Sequence, residues 1–180
     1  MSDNKIKYGL CNCYYALKTS TGYGTPVALP GAKSISLAPQ GDLYKFYADN
    51  IEYYRNSTNN GYEGDLELAL IPDHFRTAVL GEELDDTDKI LIEKVLDSAT
   101  EFALGFQIEG DASASRFWFY NCVATRPNAA SNTKETSVEV QTESITISNS
   151  PTEDGYVRVR TTVDTPSAIY NAWFSEVWEP

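Results

Sequence analysis

The sequence is poor in the residues that most often carry chemistry or cross-links, and it has no long apolar run. It contains one histidine, one methionine and three cysteines in 180 residues. Its longest apolar stretches, such as 102–106 and 118–120, are far shorter than the roughly 18 residues that a membrane helix requires. The first ten residues lack the apolar stretch of a secretory signal. These absences predict a folded protein that has no membrane partner and is made in the cytoplasm.

Positive charge is also scarce. The 14 Lys and Arg residues stand against 26 Asp and Glu, which gives a formal net charge of −12. Such a surface repels nucleic-acid phosphates and anionic lipid. The only close basic pair at strand-like spacing is Arg158 and Arg160, and this pattern is typical of a solvated strand face. The charge indicates either simple solubility or a surface that must not hold DNA.

The three cysteines, Cys11, Cys13 and Cys122, indicate neither a disulfide framework nor a metal site. An odd count without a secretory signal argues against a set of disulfides. A structural zinc site needs four ligands, whereas the sequence offers one His and no second Cys pair. Buried, reduced cysteines are the favoured interpretation. We expect no metal and no other cofactor.

Candidate catalytic residues are few. The single histidine, His74, begins a predicted short helix, and no Ser or Cys stands beside it to act as a nucleophile. The densest carboxylates form an acidic run that lacks the Gly and the final Glu of a calcium-binding EF-hand loop. That run contains Glu82, Glu83, Asp85, Asp86 and Asp88. No nucleotide-binding or metalloprotease motif is present, so we do not expect an enzyme.

The clearest pattern in the sequence is the alternation of apolar and polar residues that is typical of β-strands. Between 101 and 109 apolar side chains take every second position and leave a polar, acidic opposite face. Residues 65–70 and 157–161 alternate in the same way. Pro72 and Gly81 bound a short helix predicted over 73–80. Further strands are predicted at 5–18, 42–55, 89–96, 115–125 and 136–148, with a hairpin turn at 59–61.

These patterns predict one mainly-β domain over 1–180, a β-sandwich or barrel of about eight strands flanked by one short α-helix. The end of the chain, 167–180, fits either a helix or an extended arm. Two irregular segments are long for so small a domain: 126–135 and 19–41, which has four Gly and three Pro. Loops of this length are usually functional or disordered. We expect them to contact another chain, and a passive surface loop is the alternative.

Four segments resemble one known family. They are KYGLCNCYYA, the Gly- and Pro-rich GTPVALPGAKSISLAPQG, the strand-to-helix passage GYEGDLELALIPDHFRTAVLG and the closing WFSEVWEP. Together they resemble the major tail proteins, or tail tube proteins, of long non-contractile-tailed bacteriophages (siphophages). The resemblance covers nearly the whole chain. Its most specific piece leads from Leu66 through Pro72 and Asp73 to Gly81.

The resemblance implies a tail-tube-type β-sandwich flanked by a helix, with long assembly loops. It implies hexameric rings of this protein that stack head to tail into the hollow tube of a phage tail. Further partners would be a tape-measure protein, a tail terminator and baseplate or initiator proteins. DNA would cross the lumen of the virion tail without specific binding, because an acidic lining repels phosphates that a basic lining would hold.

Two sets of residues are predicted to serve this assembly. The lumen is expected to be lined by the polar sides of two strands, unless these face outer solvent: Glu101, Gln107, Glu109, Glu139, Gln141 and Glu143. Ring stacking is assigned to 19–41, the acidic run and both termini, with these inter-subunit residues: Tyr23, Pro26, Leu29, Pro30, Glu82, Glu83, Asp85, Asp86, Trp173, Phe174 and Trp178. The three C-terminal aromatic residues fit equally well as a cover for the subunit's own core.

A glycan-binding β-sandwich is the alternative from another class. Tyr23, Tyr53, Tyr54 and Tyr62 can stack on sugars, and acidic or amide side chains can coordinate calcium. No sequence pattern orders these residues into one site. A carboxylate-based hydrolase is a third and weaker alternative.

Overall fold

The computed structural model describes residues 4–134 and 140–180. The helical segments are α1 (Asp73–Phe75), continued by a π-helical turn over Arg76–Leu80, and α2 (Ser167–Ala172). The strands are β1 (Lys7–Thr19), β2 (Gly22–Tyr23), β3 (Val27–Ala28), β4 (Ala32–Gln40), β5 (Leu43–Ala48), β6 (Ile51–Ser57), β7 (Gly61–Leu68), β8 (Glu83–Leu84), β9 (Leu91–Ile92), β10 (Phe102–Gly110), β11 (Ser115–Ala124), β12 (Glu143–Asn149) and β13 (Arg158–Arg160). The mainly-β prediction is confirmed.

Six strands form one antiparallel sheet in the order β1-β10-β11-β12-β7-β4. The short strands β2 and β3 pair with β1, and β13 pairs with β11. The sheet curls until β4 lies beside β1, although the described hydrogen-bond ladders do not join these two strands. The architecture is therefore an incompletely closed barrel. Two hairpins stand outside it, because β5 pairs with β6 and β8 with β9.

The sheet is buried on its inner face and, along β10 and β11, on its outer face as well. Inside the barrel lies the main core, which includes Leu66, Leu68, Phe75, Phe102, Leu104, Ile145 and Ile147. On the outer face a second cluster joins Ala103, Trp118, Tyr120 and Trp173. The C-terminal segment that carries α2 covers this second cluster. The polar face predicted for 101–109 is thus not a free surface along most of β10.

Two asparagines with left-handed backbone change which face of their strand is buried. Asn12 in β1 has φ 49° and Asn121 in β11 has φ 46°. Phe119 and Cys122 both lie in the main core, although strict alternation would place them on opposite faces. Asparagine tolerates positive φ better than most residues, and the extra residue of a bulge shifts the alternation by one. Strict period two therefore fails in β11.

The helix predicted over 73–80 is confirmed. It follows Pro72, continues as the π-helical turn and ends at Gly81, whose φ of 83° is left-handed. Phe75 and Val79 are fully buried. The Phe75 ring meets Phe102 edge to face, with ring centroids 5.7 Å apart. The helix therefore closes the end of the barrel at which β10 begins. No helix in the described ranges is both long and apolar enough to cross a membrane.

The segment 19–41, predicted to be irregular, contains a strand of the main sheet. β4 pairs with β7 along nearly its whole length. Ile35 and Leu37 pack against the main core from alternate positions of β4. The period-two pattern of this strand is masked in the sequence by the Gly and Pro residues on either side. A deletion across β4 would remove part of the barrel.

Two further predictions of secondary structure are wrong. The stretch 42–55 is two strands, because the chain reverses at Asp49 and Asn50, whose φ values of 52° and 62° suit the tight turn of a twisted hairpin. The predicted turn at 59–61 instead joins this hairpin to β7. The stretch 89–96 contains only the two residues of β9 in a strand. β9 pairs with β8 only through Leu91 and Ile92, and no described strand pairs with 93–96 to lengthen β9.

Candidate functional site

An aromatic hairpin projects from the barrel. We use this name for residues 43–57, which comprise β5 and β6. Every residue of both strands is exposed except Ala48, which is partly buried. Monomeric proteins rarely expose a contiguous apolar patch of this kind, and a two-stranded hairpin alone is only marginally stable in water. The aromatic hairpin therefore has the properties of a surface that is covered in an assembly.

The two faces of the aromatic hairpin differ. Tyr44, Phe46 and Tyr54 share one face, since Phe46 pairs with Tyr54, and their exposed fractions are 59%, 48% and 55%. The other face carries charge together with exposed apolar groups, because Leu43 and Tyr47 alternate with Lys45 along β5. There the Glu52 carboxylate lies 3.0 Å from the Lys45 ammonium and 3.8 Å from the Arg55 guanidinium. The uncharged face can thus bury apolar surface without burying the charges of Lys45, Glu52 and Arg55.

The base of the aromatic hairpin is tightly held. The Asp42 N–H donates to the Thr58 hydroxyl at 2.8 Å, and the Asn60 N–H donates to the Gln40 carbonyl at 2.8 Å. At Gly41 the backbone has φ 157°, and a Cβ there would lie 2.1 Å from the Thr58 carbonyl oxygen. The connection to β4 and β7 therefore fixes the hairpin at one end of the barrel.

An acidic arm follows the helix. We use this name for residues 82–98, which run from Gly81 through β8 and β9 towards β10. The arm has seven acidic and two basic side chains. Val95 and Leu96 are 98% and 93% exposed, so the arm also offers apolar groups with almost no contact to its own subunit.

The predicted inter-subunit carboxylates all lie on the acidic arm, in different settings. Glu82 pairs with Arg76 at 3.4 Å, and its side chain is largely buried. Glu83 pairs with Lys94. Asp85 organises the turn, because its Oδ1 accepts from the N–H groups of residues 87 and 88 at 2.9 and 2.6 Å. Asp86 is almost completely exposed and pairs with the neighbouring Lys89 at 3.3 Å.

A basic cleft of about 650 Å³ opens at the far end of β10. We use this name for the cavity between β4, β10, β11, β13 and the N-terminal segment. Apolar side chains that line it are Ile35, Leu37, Tyr62, Phe106, Ile108, Phe117 and Phe119. Four cations also line it, Lys5, Lys7, Arg158 and Arg160, with Glu109 as the carboxylate among them. The Arg158 guanidinium lies 5.3 Å from the Tyr62 ring centroid, within cation–π range.

The aromatic hairpin and the basic cleft lie at the same end of the barrel, and the acidic arm lies at the other. The hairpin joins the end of β4 to the start of β7, beside Leu37 and Tyr62 of the cleft. The arm leaves the helix and returns to the start of β10, where the Thr100 N–H donates to the Val79 carbonyl at 2.8 Å. The eight residue steps of β10 separate the two ends by about 26 Å.

The residues predicted to line a lumen differ in their exposure and do not form one surface. Glu101 and Glu109 are exposed at the two ends of β10. Gln107 between them is only 8% exposed, and its Oε1 accepts from the Arg116 Nε at 2.8 Å. The prediction that Gln107 lines a lumen is therefore wrong, because Gln107 is not on the surface of the subunit: the C-terminal segment covers that part of β10.

The second predicted lumen strand is partly described. Glu143 accepts from the Ile71 N–H at 2.7 Å and pairs with Arg76 at 3.3 Å, so it holds β12 to the start of the helix. Gln141 is exposed and exchanges hydrogen bonds with the backbone of Asn132. Glu139 lies outside the described residues.

A different acidic face is present on β7. Glu63 and Asp65 are exposed there and Glu67 is partly exposed, and hydroxyl groups flank them on the neighbouring strands. The Glu67 carboxylate accepts from Lys33 at 2.7 Å, from Thr142 and from Ser34 at 2.8 Å. These bonds, led by the one from Lys33, lower the pKa of Glu67 to about 2. This face carries no large apolar side chain, since the β7 residues between the carboxylates point inward.

The predicted contacts within 19–41 separate into buried and exposed residues. Leu29 is 1% exposed and belongs to the main core, so its predicted inter-subunit role is wrong. Its N–H donates to the Cys13 carbonyl at 2.8 Å, which draws this stretch onto β1. Pro26 is partly exposed and Pro30 is exposed. The Tyr23 hydroxyl is bound to Asn121.

The C-terminal aromatic residues cover their own subunit. Trp173 is 4% exposed, and its carbonyl accepts from the Trp118 Nε1 at 3.0 Å. An anchoring role for Trp173 on a neighbour is therefore wrong. Phe174 stacks on Tyr14 with centroids 4.7 Å apart, and Trp178 stacks on Trp173 at 6.5 Å. Trp178 keeps 37% of its surface exposed, so one side of it stays available.

The other candidate chemistry is not assembled into a site. His74 contacts the Tyr15 hydroxyl through Nδ1 at 2.9 Å, beside the core. Burial raises the pKa of the Cys13 and Cys122 thiols to about 12, which makes both thiols inert. The four tyrosines proposed for sugar stacking do not converge: two lie on the aromatic hairpin, Tyr23 on the second cluster and Tyr62 on the cleft. Among the described residues, no three His, Cys, Asp or Glu side chains are grouped to hold a metal ion.

The sequence reasoning missed both the aromatic hairpin and the basic cleft. A signal for the hairpin was present, because 42–55 has apolar or aromatic residues at adjacent positions rather than in alternation. The cleft had no such signal. Its lining comes from segments separated by up to about 150 positions, and only the folded barrel brings them together.

The fold and these surfaces define a class: a mainly-β, incompletely closed barrel that exposes an aromatic hairpin and a charged surface at each end. No protein-family model matches the chain, and no curated protein matches it by sequence. A chain in the 6-fold symmetrised cryo-EM structure of the anti-feeding prophage (AFP) baseplate is similar, with a TM-score of 0.52 and 8% identity, over 91% of this chain and 99% of that one.

Two further solved structures are similar at lower scores. A chain in the AFP tube terminating cap has a TM-score of 0.46 and 12% identity, over 90% of this chain and 97% of that one. A chain in the sheath-tube complex of the PVC extracellular contractile injection system has a TM-score of 0.43 and 10% identity, over 84% and 89%. The AFP baseplate match shows that this chain shares the fold of that baseplate chain. It does not single out the long non-contractile tails.

Proposed function

We propose that this protein is a structural, non-enzymatic subunit of a phage tail or tail-like particle, and that copies of it associate into the hollow tail tube. The observation that carries the proposal is the aromatic hairpin, an exposed apolar surface on a fold that also occurs in the AFP baseplate. Burial of such a surface against another subunit is favourable by roughly 25 cal/mol per Å² of apolar area.

The assembly that we propose is a stack of hexameric rings in the virion, built from subunits made in the bacterial cytoplasm. A tape-measure protein, a terminator and baseplate or initiator proteins are its further partners. The free edge of β4, and the part of β1 that β2 and β3 leave unpaired, support lateral association, because unpaired strand edges are usually covered in native assemblies. A head-to-tail contact that does not close by rotation extends into a filament.

In this proposal the lumen is lined by the acidic face of β7 rather than by β10. Glu63, Asp65 and Glu67 lie on one face with hydroxyl groups on both sides, whereas most of β10 is covered. Carboxylates repel DNA phosphates, and hydroxyl groups keep the lining hydrated. DNA then passes through without being held.

Negative-stain electron microscopy over a concentration series, paired with light-scattering mass, tests the proposal. We expect hollow rings or tubes of uniform width, with a mass that rises with concentration. The control is a chain in which a short Gly-Asn turn replaces residues 43–57, which should stay folded and monomeric. A wild-type protein that remains a monomer at every concentration contradicts the proposal.

A further inference from the structure

The basic cleft collects four of the six basic side chains that form no ion pair among the described residues. Eight of the 14 basic side chains form ion pairs within their own subunit. Lys5, Lys7, Arg158 and Arg160 form none with any described residue, although the protein carries an excess of carboxylates. They surround an apolar, largely aromatic floor. A matching ligand would present carboxylates together with apolar side chains.

The acidic arm presents that combination. It has a large excess of carboxylates, and Val95 and Leu96 are almost fully exposed next to them. Leu84 and Ile90 are also exposed on the same arm, at 44% and 57%. Its charge is opposite to that of the cleft, and its apolar groups suit the aromatic floor. The two surfaces are therefore complementary in charge and in polarity.

The position of the two surfaces decides which copy supplies the arm. The acidic arm and the basic cleft lie at opposite ends of β10, so an arm does not meet the cleft of its own subunit. A second copy, displaced along the barrel axis, brings its arm to the cleft without turning over. We propose that the acidic arm of one copy occupies the basic cleft of the next, and that this contact sets the direction of stacking.

This inference rests on the proposed self-assembly and adds the pair of surfaces that meet. The contact is heterologous, because each copy uses a different surface at each end. Such contacts propagate in one direction and leave one free arm end and one free cleft end. Since charges are involved on both sides, the contact weakens as salt is raised.

Two charge-reversal variants test the pairing. The cleft variant is Arg158→Glu with Arg160→Glu, and the arm variant is Asp86→Lys with Asp88→Lys. Each variant alone should associate with itself at least tenfold more weakly than wild type, measured by sedimentation velocity at 50 mM salt. The matched control, Arg158→Lys with Arg160→Lys, retains the charge and should associate like wild type. Circular dichroism and thermal melts verify that all of them fold.

Mixing the two variants is the decisive step. The cleft variant keeps an intact arm, and the arm variant keeps an intact cleft. The tagged cleft variant should therefore capture the arm variant, although neither captures itself. A second arm variant, Val95→Ser with Leu96→Ser, removes the apolar groups without changing the charge, and these side chains make almost no contact in the subunit, so folding should be unaffected. It should also lose self-association.

The outcomes separate this inference from the proposed function. If wild type assembles and the arm variants assemble equally well, the cleft takes another segment or ligand and the pairing is wrong, while the proposed function stands. Absence of capture in the mixture, with wild type assembling, has the same meaning. If wild type does not associate at any concentration, the proposed function and the pairing both fail.

Discussion

The Tyr23 hydroxyl and Asn121 are joined by two hydrogen bonds. The hydroxyl donates to the Asn121 Oδ1 at 3.0 Å and accepts from the Asn121 backbone N–H, also at 3.0 Å. The Asn121 Nδ2 in turn donates to the Pro151 carbonyl at 3.1 Å. These bonds hold the bulge at which β11 changes its buried face. Tyr23 therefore has a role within its own subunit, separate from any contact in an assembly.

Asn121→Ala should lower the free energy of unfolding by about 2–5 kcal/mol. It removes two side-chain hydrogen bonds of about 0.5–1.5 kcal/mol each and places Ala at a positive φ, which costs about 1–2 kcal/mol. Asn121→Gly loses the same bonds but tolerates the backbone, so it should cost about 1 kcal/mol less. Urea unfolding measures both values. If both variants lose the same free energy of unfolding, the tolerance of Asn121 for a left-handed backbone does not contribute to stability.

Gly105→Ala should destabilise the second cluster. A Cβ at Gly105 would lie 2.5 Å from the Trp118 ring, which is itself fully buried. Overpacking of this kind costs about 1–3 kcal/mol. Thermal unfolding followed by tryptophan fluorescence measures the loss. Gly24→Ala is the matched control, because its nearest neighbour would be 3.6 Å away, and a similar loss there would refute the role of the Trp118 contact.

Replacement of Tyr44, Phe46 and Tyr54 together by Ser should abolish self-association and leave stability nearly unchanged. These side chains are about half exposed in the subunit, so the free energy of unfolding should change by less than about 1 kcal/mol. Light-scattering mass and urea unfolding measure the two effects. Tyr156→Ser, at another exposed tyrosine, should leave association intact. Tubes formed by the triple variant would remove the aromatic hairpin from the interface.

Glu67→Gln should change how stability depends on pH in the acid range. The pKa of Glu67 in the folded state is lowered to about 2, chiefly by its hydrogen bond from Lys33. A lowered pKa contributes stability that is present above the unfolded value of about 4.3 and is lost as pH falls towards about 2. The difference in stability between wild type and variant should therefore shrink from pH 5 to pH 2. A difference that stays constant would contradict the shifted pKa.

Charge reversal on the β7 face should make assembled tubes retain DNA. Glu63→Lys with Asp65→Lys puts cations on the proposed lumen lining, and each cation can neutralise a phosphate and release a counterion. We expect DNA to co-sediment with the variant tubes at 50 mM salt and to be released at high salt. The control Glu153→Lys with Asp154→Lys has the same change in charge on an exposed loop. Equal retention by both would place the lumen elsewhere.

Local sequence patterns predicted the features that depend on neighbouring residues in the chain. The helix over 73–80 followed from Pro72 and Gly81, and the inward side of β10 followed from Phe102, Leu104 and Phe106. The burial of the other face of β10 could not be predicted from local patterns. It depends on Trp173, some 70 residues further along the chain, and alternation does not reveal which segment will cover a face.

The errors at the candidate surfaces have a similar origin. Gln107 is polar, and it was assigned to a surface because of the side of β10 on which it lies. It is buried because Arg116 supplies a hydrogen-bonding partner beneath the C-terminal segment. Leu29 was assigned to a loop because prolines flank it, yet its backbone bond to Cys13 draws it into the core. A single long-range contact reversed the prediction in each case.

The sequence by itself determined the mainly-β class, the short helix and the acidic charge, because composition and local periodicity carry these properties. The tertiary structure decided which faces are buried, since the bulges at Asn12 and Asn121 shift the alternation and the C-terminal segment covers a second face. It also placed the aromatic hairpin and the basic cleft at one end and the acidic arm at the other. That arrangement depends on strand order, which connects residues far apart in the chain and leaves no local trace.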